Sequence, residues 1–417
     1  MAVTHPGEAP AWRKMGLLFL MFILQNISLG FTWTLLPLLM RKQGLSLGMV
    51  GLTALLYSPW ALKFLWASQV DRHYSPRWGR RKSWIVPLSL ITLGFLPVLA
   101  LMNPQGQLIP VLLVVFLLNI NVATLDIAVD GYATDILKPK ERPWGNTTQA
   151  TGYIIGHMLG SGVFLIVYQW LGWASTLWAM TCLHLLLTMP VLAHRELPPV
   201  DHPEMNEAAG EFKPSARAFL RLPRIHWFLL FLVLVGLAEN GDDQLRLTML
   251  ADLGLNPQNL GELLLWIGSP LYILGSVAGG ALLNRWGPWR VFVLGCLMTV
   301  GLCWFSALLP GGVCDLNWGA GIMLGGERLI RGVMMVMVYS MIMSLSAGRQ
   351  AATNYAVLCS LHHVVSLGVL PIAGFWGDAV GYAVFFVGMG FFGLLTLFIG
   401  GHIVRHRLGG DVVRQVA

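Results

Sequence analysis

Apolar stretches long enough to cross a lipid bilayer recur along this chain, and they restrict its fold more than any other feature. Each holds about 20 residues, which at about 1.5 Å per residue spans a hydrocarbon layer of about 30 Å. Hydropathy places predicted helices near 14–39, 48–69, 84–102, 109–136, 148–170, 175–194, 226–250, 259–283, 291–309, 318–345, 352–375 and 382–403. Of the 417 residues, 56% are apolar and 11% are charged. A soluble domain carries about 25% charged residues, so a chain this apolar could not cover a water-exposed surface. The expected class is an all-α membrane protein with lipid as its main solvent.

The Lys and Arg residues between the predicted helices are unevenly shared. One set of segments carries Arg13 and Lys14, Arg72 to Lys82, Lys138 to Arg142, Arg195 to Arg224, Arg285 and Arg290, Arg349, and Arg405 to Arg414; the opposite set carries Arg41 and Lys42 alone. The positive-inside rule puts the rich set and both termini in the cytoplasm. The net charge of +7 thus reflects topology, and no basic water-exposed domain is long enough to suggest nucleic acid. A polar, Pro- and Glu-containing stretch at 195–225 divides six predicted helices (1–194) from six (226–417) and is expected to be a cytoplasmic linker. The halves also resemble each other. His157 to Ser161 lines up with His362 to Ser366, and Asp71-Arg72 with Asn284-Arg285. These matches predict two pseudo-symmetric six-helix bundles, related by an axis along the membrane normal.

The five Cys have no paired or metal-binding spacing, so neither a disulfide nor a structural zinc is expected. Residues 1–10 lack a basic segment leading to a cleavage site, so the apolar run from Leu17 is expected to be a retained helix.

The loop after the second predicted helix carries Asp71-Arg72, then Gly79-Arg80-Arg81-Lys82. It resembles the D-R-x-G-R-R-K core of the major facilitator signature, lengthened between Arg72 and Gly79. Two further stretches, Pro59 to Trp66 with Lys63, and Asp126 to Asp135 followed by Glu141-Arg142, are similar to the muropeptide-permease (AmpG) and acetyl-CoA-transporter branch. Within that neighbourhood the length and the Trp-rich, compact C-terminal half look most like the RhtX/FptX siderophore-permease group, without the extra C-terminal helices of muropeptide permeases. The resemblance implies a secondary transporter that rocks two bundles, with a small siderophore or its ferric complex as cargo. It also implies protons as the coupling ion and the bacterial inner membrane as location. A monomer with no cofactor and no protein-held metal is expected. Muropeptide import, drug or siderophore efflux, and an intramembrane enzyme or receptor are the alternatives. No P-loop suggests ATP, and no nucleophile–base pair stands out, although Ser161 lies four residues from His157.

Ionisable groups at bilayer depth cost about 2.5–3.5 kcal/mol each on insertion scales, so each one needs a reason. Asp126 and Asp130 are four apart and stack on one helix face, continued by Asn119 and Ala123. Neighbouring carboxylates tune each other's proton affinity, which suits a proton carrier; the alternative is that Asp130 pairs with Lys63 or with the basic loop. Glu239, Asp242, Asp243 and Arg246 fall within about two turns, too many charged side chains for all to face lipid, and Gly241 invites local unwinding. Glu239 and Asp243 are therefore further proton-coupling candidates, unless the helix ends early and Asp242 starts a loop.

Glu327, Arg328 and Arg331 form a complementary group, with Arg331 one turn beyond Glu327. In the resembled fold Arg328 or Arg331 would face Glu239 or Asp243 across a cavity, as a gate or as cargo contacts. His157 and His362 sit about 15 Å into equivalent helices and could join a relay or touch cargo. Trp33 and Tyr132 are the preferred aromatic contacts for a phenolic cargo. Asp71, Arg72, Gly79, Arg80, Arg81, Lys63 and Asp135 are expected to act as a gate or latch.

Overall fold

In the computed structural model the described residues are 10–32, 36, 40, 52–104, 106–197, 213–241 and 243–408. They are helical almost throughout. The long helices are α1 (Ala11–Gly30), α2 (Lys82–Ala100), α3 (Leu108–Ile136), α4 (Arg142–Met158), α5 (Phe164–Ala193), α6 (Pro223–Asn240), α7 (Asp243–Asp252), α8 (Ser269–Leu308), α9 (Leu316–Ser346), α10 (Ala351–Val380) and α11 (Tyr382–His402). A broken helical run occupies 52–72, with Lys63 in a short 3₁₀ segment.

Eight runs among the described residues are long and apolar enough to span a bilayer. Two of these, Pro139–Ala193 and Asn259–Gly311, are each over 50 residues long, about twice what one crossing needs. Each is two crossings joined at a glycine with a positive φ, Gly172 (73°) and Gly287 (74°), where no side-chain-bearing residue would sit comfortably. Counting α1 and the 52–72 run, which lie outside those eight, gives twelve crossings among the described residues. Many large apolar side chains point outward, as lipid requires: Trp170 is 82% exposed, Phe375 78% and Ile109 77%.

The crossings belong to two compact units that are not contiguous in sequence. The first contains residues 1–138, 151–216 and 346–357; the second contains 139–150, 217–345 and 358–417. The first turn of α10 thus belongs with the first unit, and the start of α4 with the second. The first unit's core gathers Ile27, Phe31, Val115, Leu118, Phe164 and Met180; the second's gathers Met249, Cys303, Met323, Phe385 and Met389.

Lipid tails are as apolar as a leucine core, so helices in a membrane associate through close packing and polar contacts. In the first unit α4 and the helical turn Leu159–Val163 that continues it supply the close packing with a glycine every four residues. A Cβ on Gly152 would come 2.8 Å from the Phe22 Cβ, and one on Gly156 2.6 Å from the Ile23 carbonyl oxygen, while Gly160 lies against the Ile27 carbonyl. Gly162, two residues further on, has no neighbour within 4 Å. Gly160→Ala is therefore expected to destabilise the purified protein by about 1–3 kcal/mol, and Gly162→Ala to leave it unchanged. Thermal melts of the two variants in one detergent provide the check.

Candidate functional site

A buried charge triad sits inside the first unit. The four-residue spacing stacks Asp126 and Asp130 on one face of α3, and the Lys63 side chain reaches them from the 52–72 run. Its Nζ is paired with Asp126 Oδ2 and lies 3.9 Å from Asp130 Oδ2. All three residues are buried, with Lys63 at 1%, Asp126 at 6% and Asp130 at 3% exposure. The Trp60 ring centroid lies 5.6 Å from the ammonium, and Trp66 Nε1 donates to Thr124 Oγ1 at 3.0 Å, which ties the two helices beside the triad. Counted by themselves and all ionised, one ammonium and two carboxylates carry a net charge of −1. A single proton on either acid makes the group neutral, so this arrangement can take up and release one proton without creating a new unpaired ion.

The second unit holds the other polar group. Its carboxylate centre is Glu327 on α9, paired with Arg331 Nε and placed 3.2 Å from Arg328 Nε. Arg331 Nη2 also donates to the Glu239 backbone carbonyl at 2.9 Å. That carbonyl lies where α6 stops, at Asn240, before α7 resumes at Asp243. A helix end leaves carbonyls without intrahelical donors, and a guanidinium there supplies both a donor and a favourable charge. Gly241 keeps helical φ and ψ, Asp242 lies outside the described residues, and the chain from Asp243 is helical rather than a loop. The Arg328 stem packs against Gly268, where a Cβ would come within 3.2 Å of its Cγ. Arg246, on α7, is 1% exposed, donates to Cys303 Sγ at 3.6 Å and lies 5.7 Å from the Phe386 ring.

His157 stacks on Tyr153 with ring centroids 5.9 Å apart, and His362 meets Tyr339 edge-on at 6.2 Å. Trp33 and the side chain of Asp243 lie outside the described residues. Tyr132, the other aromatic expected as a cargo contact, is described in full. It is 1% exposed, its hydroxyl accepts from Leu197 N–H at 3.3 Å, and its ring lies 5.8 Å from His194. Its polar tip is therefore used to seat the chain that follows α5.

The Asp71–Lys82 loop is a charge lattice in which Arg80, Arg81 and Lys82 each have defined acceptors. Asp71 Oδ1 accepts from Arg80 Nη2 at 2.7 Å and Arg81 Nη1 at 2.8 Å. Its Oδ2 accepts from Thr353 N–H at 2.7 Å and Thr353 Oγ1 at 2.6 Å, and so caps the first turn of α10. Arg80 also reaches the Arg349 carbonyl. Arg81 Nε donates to Asp135 Oδ2 at 2.7 Å. Arg81 and the Ala352 methyl come close to α3 because Gly131 has no side chain there. Arg72 is exposed.

Glu196, which the sequence did not single out, completes the lattice. Its carboxylate caps the start of α2 by accepting from the backbone N–H of Arg81 at 3.1 Å and Lys82 at 2.7 Å. In return Lys82 Nζ caps the end of α5 by donating to the Leu192 carbonyl at 2.8 Å and the His194 carbonyl at 2.6 Å. Gly79, at φ +97°, leaves room for that carboxylate. The sequence signal was faint: an acid just past an apolar stretch, followed by Leu197-Pro198-Pro199.

Burial sets the proton affinities in this loop unless a partner outweighs it. It pulls Arg80 down, helped by Arg81 and opposed by Asp71 and Asp135. It would pull Arg81 down too, but the Asp135 and Asp71 carboxylates overcome it and raise this guanidinium. Burial pushes Glu196 up despite its backbone donors, and pushes His194 down.

Twelve crossings, paired charges buried inside each unit and a signature loop that ties helix ends together define a multi-pass membrane transport protein. The family model described as Major Facilitator Superfamily matches residues 18–361, and the chain belongs to that family. It is 25% identical over 378 residues to the anhydromuropeptide permease of Escherichia coli K12, which covers 90% of this chain and 76% of that one. It is 27% identical over 363 residues to a Haemophilus influenzae protein, covering 84% and 85%. Among solved structures it is similar to FucP in the outward conformation (TM-score 0.67, 17% identity, 94% of this chain and 98% of that one). It is also similar to the human organic anion transporter MFSD10 (TM-score 0.67, 16% identity, 94% and 100%). The fold is the twelve-helix, two-bundle architecture expected from the sequence.

The Glu196 cap carries a pH signature. Its folded-state proton affinity is raised, so its contribution to stability is full below the ordinary carboxylate value and is lost as pH rises through the folded value. Glu196→Gln, which mimics the protonated form, is expected to gain on wild type in melting temperature as pH is raised from about 4 to about 7. A melt series across that range tests the sign, and a difference that shrinks with rising pH would refute it.

Proposed function

We propose that this transporter is a proton-coupled secondary importer of the bacterial inner membrane, with both termini cytoplasmic. In this reading 1–194 and 226–417 rock against each other about the 195–225 linker. The observation that carries the proposal is the Lys63–Asp126–Asp130 triad, since three ionisable groups buried away from water need a reason to be there. Asp126 is the proton carrier, Asp130 shares its proton, and Lys63 holds both carboxylates in place. Glu239 and Asp243 are the second-unit candidates for coupling.

Arg328 and Arg331 are proposed to receive an anionic group of the cargo, with Glu327 as the internal counter-ion that cargo replaces. His157, His362 and Trp33 are proposed as further cargo contacts. The Asp71, Arg80, Arg81 and Asp135 lattice, with Arg72 and Gly79 in its loop, acts as the latch. The cargo proposed from the sequence resemblance is a small siderophore or its ferric complex. A second reading, an anhydromuropeptide, is supported by the likeness to the Escherichia coli permease across 90% of this chain.

Uptake of radiolabelled ferric pyochelin and of a radiolabelled anhydromuropeptide into proteoliposomes, with and without an imposed pH gradient, separates the two cargoes and tests coupling. Wild type is expected to be accelerated by an inward proton gradient. Asp126→Asn is expected to lose that acceleration while keeping cargo exchange, and Arg331→Ala to lose affinity for the anionic cargo. Equal uptake by all three proteins would remove both sites from the mechanism. Lys63→Met leaves two buried carboxylates without their cation and is expected to cost about 3–5 kcal/mol of stability. The Lys63→Met/Asp126→Leu double variant should recover most of that loss in the same melt.

A further inference from the structure

In the first unit Arg80 and Arg81 are matched by the carboxylates of Asp71 and Asp135. The Arg-rich end of the second unit has no such partners in its own segments. That end is built from the start of α6, the turn within α8 at Gly287 and the residues following α11, and no Asp or Glu occurs in 212–238, 264–314 or 379–410, the neighbouring acids being Glu211 and Asp411. Those same segments contribute seven arginines. The acids of this half near chain turns, such as Asp252, Glu262, Asp315 and Asp378, belong to the other ends of these helices.

The arginines are interleaved with tryptophan in a particular way. The helical turn Ile403–Arg407 packs against both α6 and α8. It places the Arg407 guanidinium 4.7 Å from the Trp227 ring centroid and that of Arg405 5.9 Å from Trp289. The Trp289 ring fits where Gly401 leaves room, with a Cβ there only 2.6 Å away. Arg405, Arg407, Arg224 and Arg290 are all exposed, and Trp227 is 38% exposed. Guanidinium groups held over indole faces stay in place without an acid partner and keep their hydrogen-bond donors directed outward. Tryptophan sits by preference at the level of lipid headgroups.

We propose that this rim is a binding site for the phosphate headgroup of an anionic phospholipid. Arg405 and Arg407 donate to the phosphate oxygens, Arg224 and Arg290 flank them, and the faces of Trp227 and Trp289 lie along the glycerol and upper acyl chain. The site is independent of cargo and of the coupling ion.

The test is native mass spectrometry of the full chain in a non-ionic detergent, titrated with phosphatidylglycerol or with phosphatidylcholine. A basic residue near an anionic lipid is worth about a fivefold change in binding. Wild type is therefore expected to prefer phosphatidylglycerol by at least about tenfold, with the preference weakening in high salt. Arg405→Gln/Arg407→Gln should lose that preference and leave phosphatidylcholine binding unchanged. Arg405→Lys/Arg407→Lys should keep most of it, which guards against misfolding of the neutral pair. Arg77→Gln, an exposed arginine of the first unit, should bind as wild type does. An unchanged preference in the neutral pair would overturn the site. Displacement by millimolar inorganic phosphate would overturn the lipid as its occupant. No preference in wild type would also overturn it, and would fit neutralisation by the chain's own Asp201, Glu204, Glu207 and Glu211.

Discussion

A charge buried in a lipid-embedded bundle must find its counter-charge inside the protein, and the first unit meets that demand with one ammonium for two acids. Lys63 is 1% exposed and faces both Asp126 and Asp130. Water is too far away to stabilise any member alone, so the positions of the 52–72 run and of α3 become a single problem: neither can shift without stranding an ion. The broken geometry of that run is consistent with this. Its short 3₁₀ segment carries Lys63 itself, so the lysine does not sit in a regular α-helix.

The two units treat their arginines differently. Arg80 and Arg81 are sunk into carboxylates that fix helix ends to one another. Arg331 joins a carboxylate on its own helix to the Glu239 carbonyl near the end of α6. A guanidinium suits both tasks because its planar fork delivers several donors in fixed directions, so one residue can satisfy an acid and a backbone oxygen together. Symmetry in the sequence did not translate into symmetry of chemistry. Asn284 stands where the first half has Asp71, and an amide has no charge with which to gather two arginines.

The architecture was legible because a bilayer imposes a length: runs of about 20 apolar residues cannot be anything else in such number. The stacking of Asp126 on Asp130 followed from a four-residue spacing, and Lys63 was among the partners that spacing allowed. Spacing could not show which cation wins, since that depends on how far the 52–72 run leans toward α3. The Glu196 cap was hidden because its value lies in two backbone N–H groups at the start of α2, and sequence is silent about which backbone groups lie near which side chain. The hydrogen bond at Tyr132 was hidden for a related reason. A phenol on a polar helix face looks like a cargo contact until the chain after α5 returns and claims its hydroxyl. The packing glycines could have been found, because Gly152, Gly156 and Gly160 are spaced for one helix face.

The Asp71 carboxylate has one further property. A carboxylate offers about four lone-pair sites, and here two arginine nitrogens fill one oxygen while the amide and hydroxyl of Thr353 fill the other. Nothing is left over for water to occupy as a stepping stone. A rearrangement that draws the first turn of α10 away has to surrender both Thr353 donors at one oxygen together, with the arginines still crowded at the other. Such a contact does not loosen by degrees. It behaves as a catch that is either engaged or released, and the populations on either side of it follow from whatever free energy the rest of the cycle supplies at the moment of release.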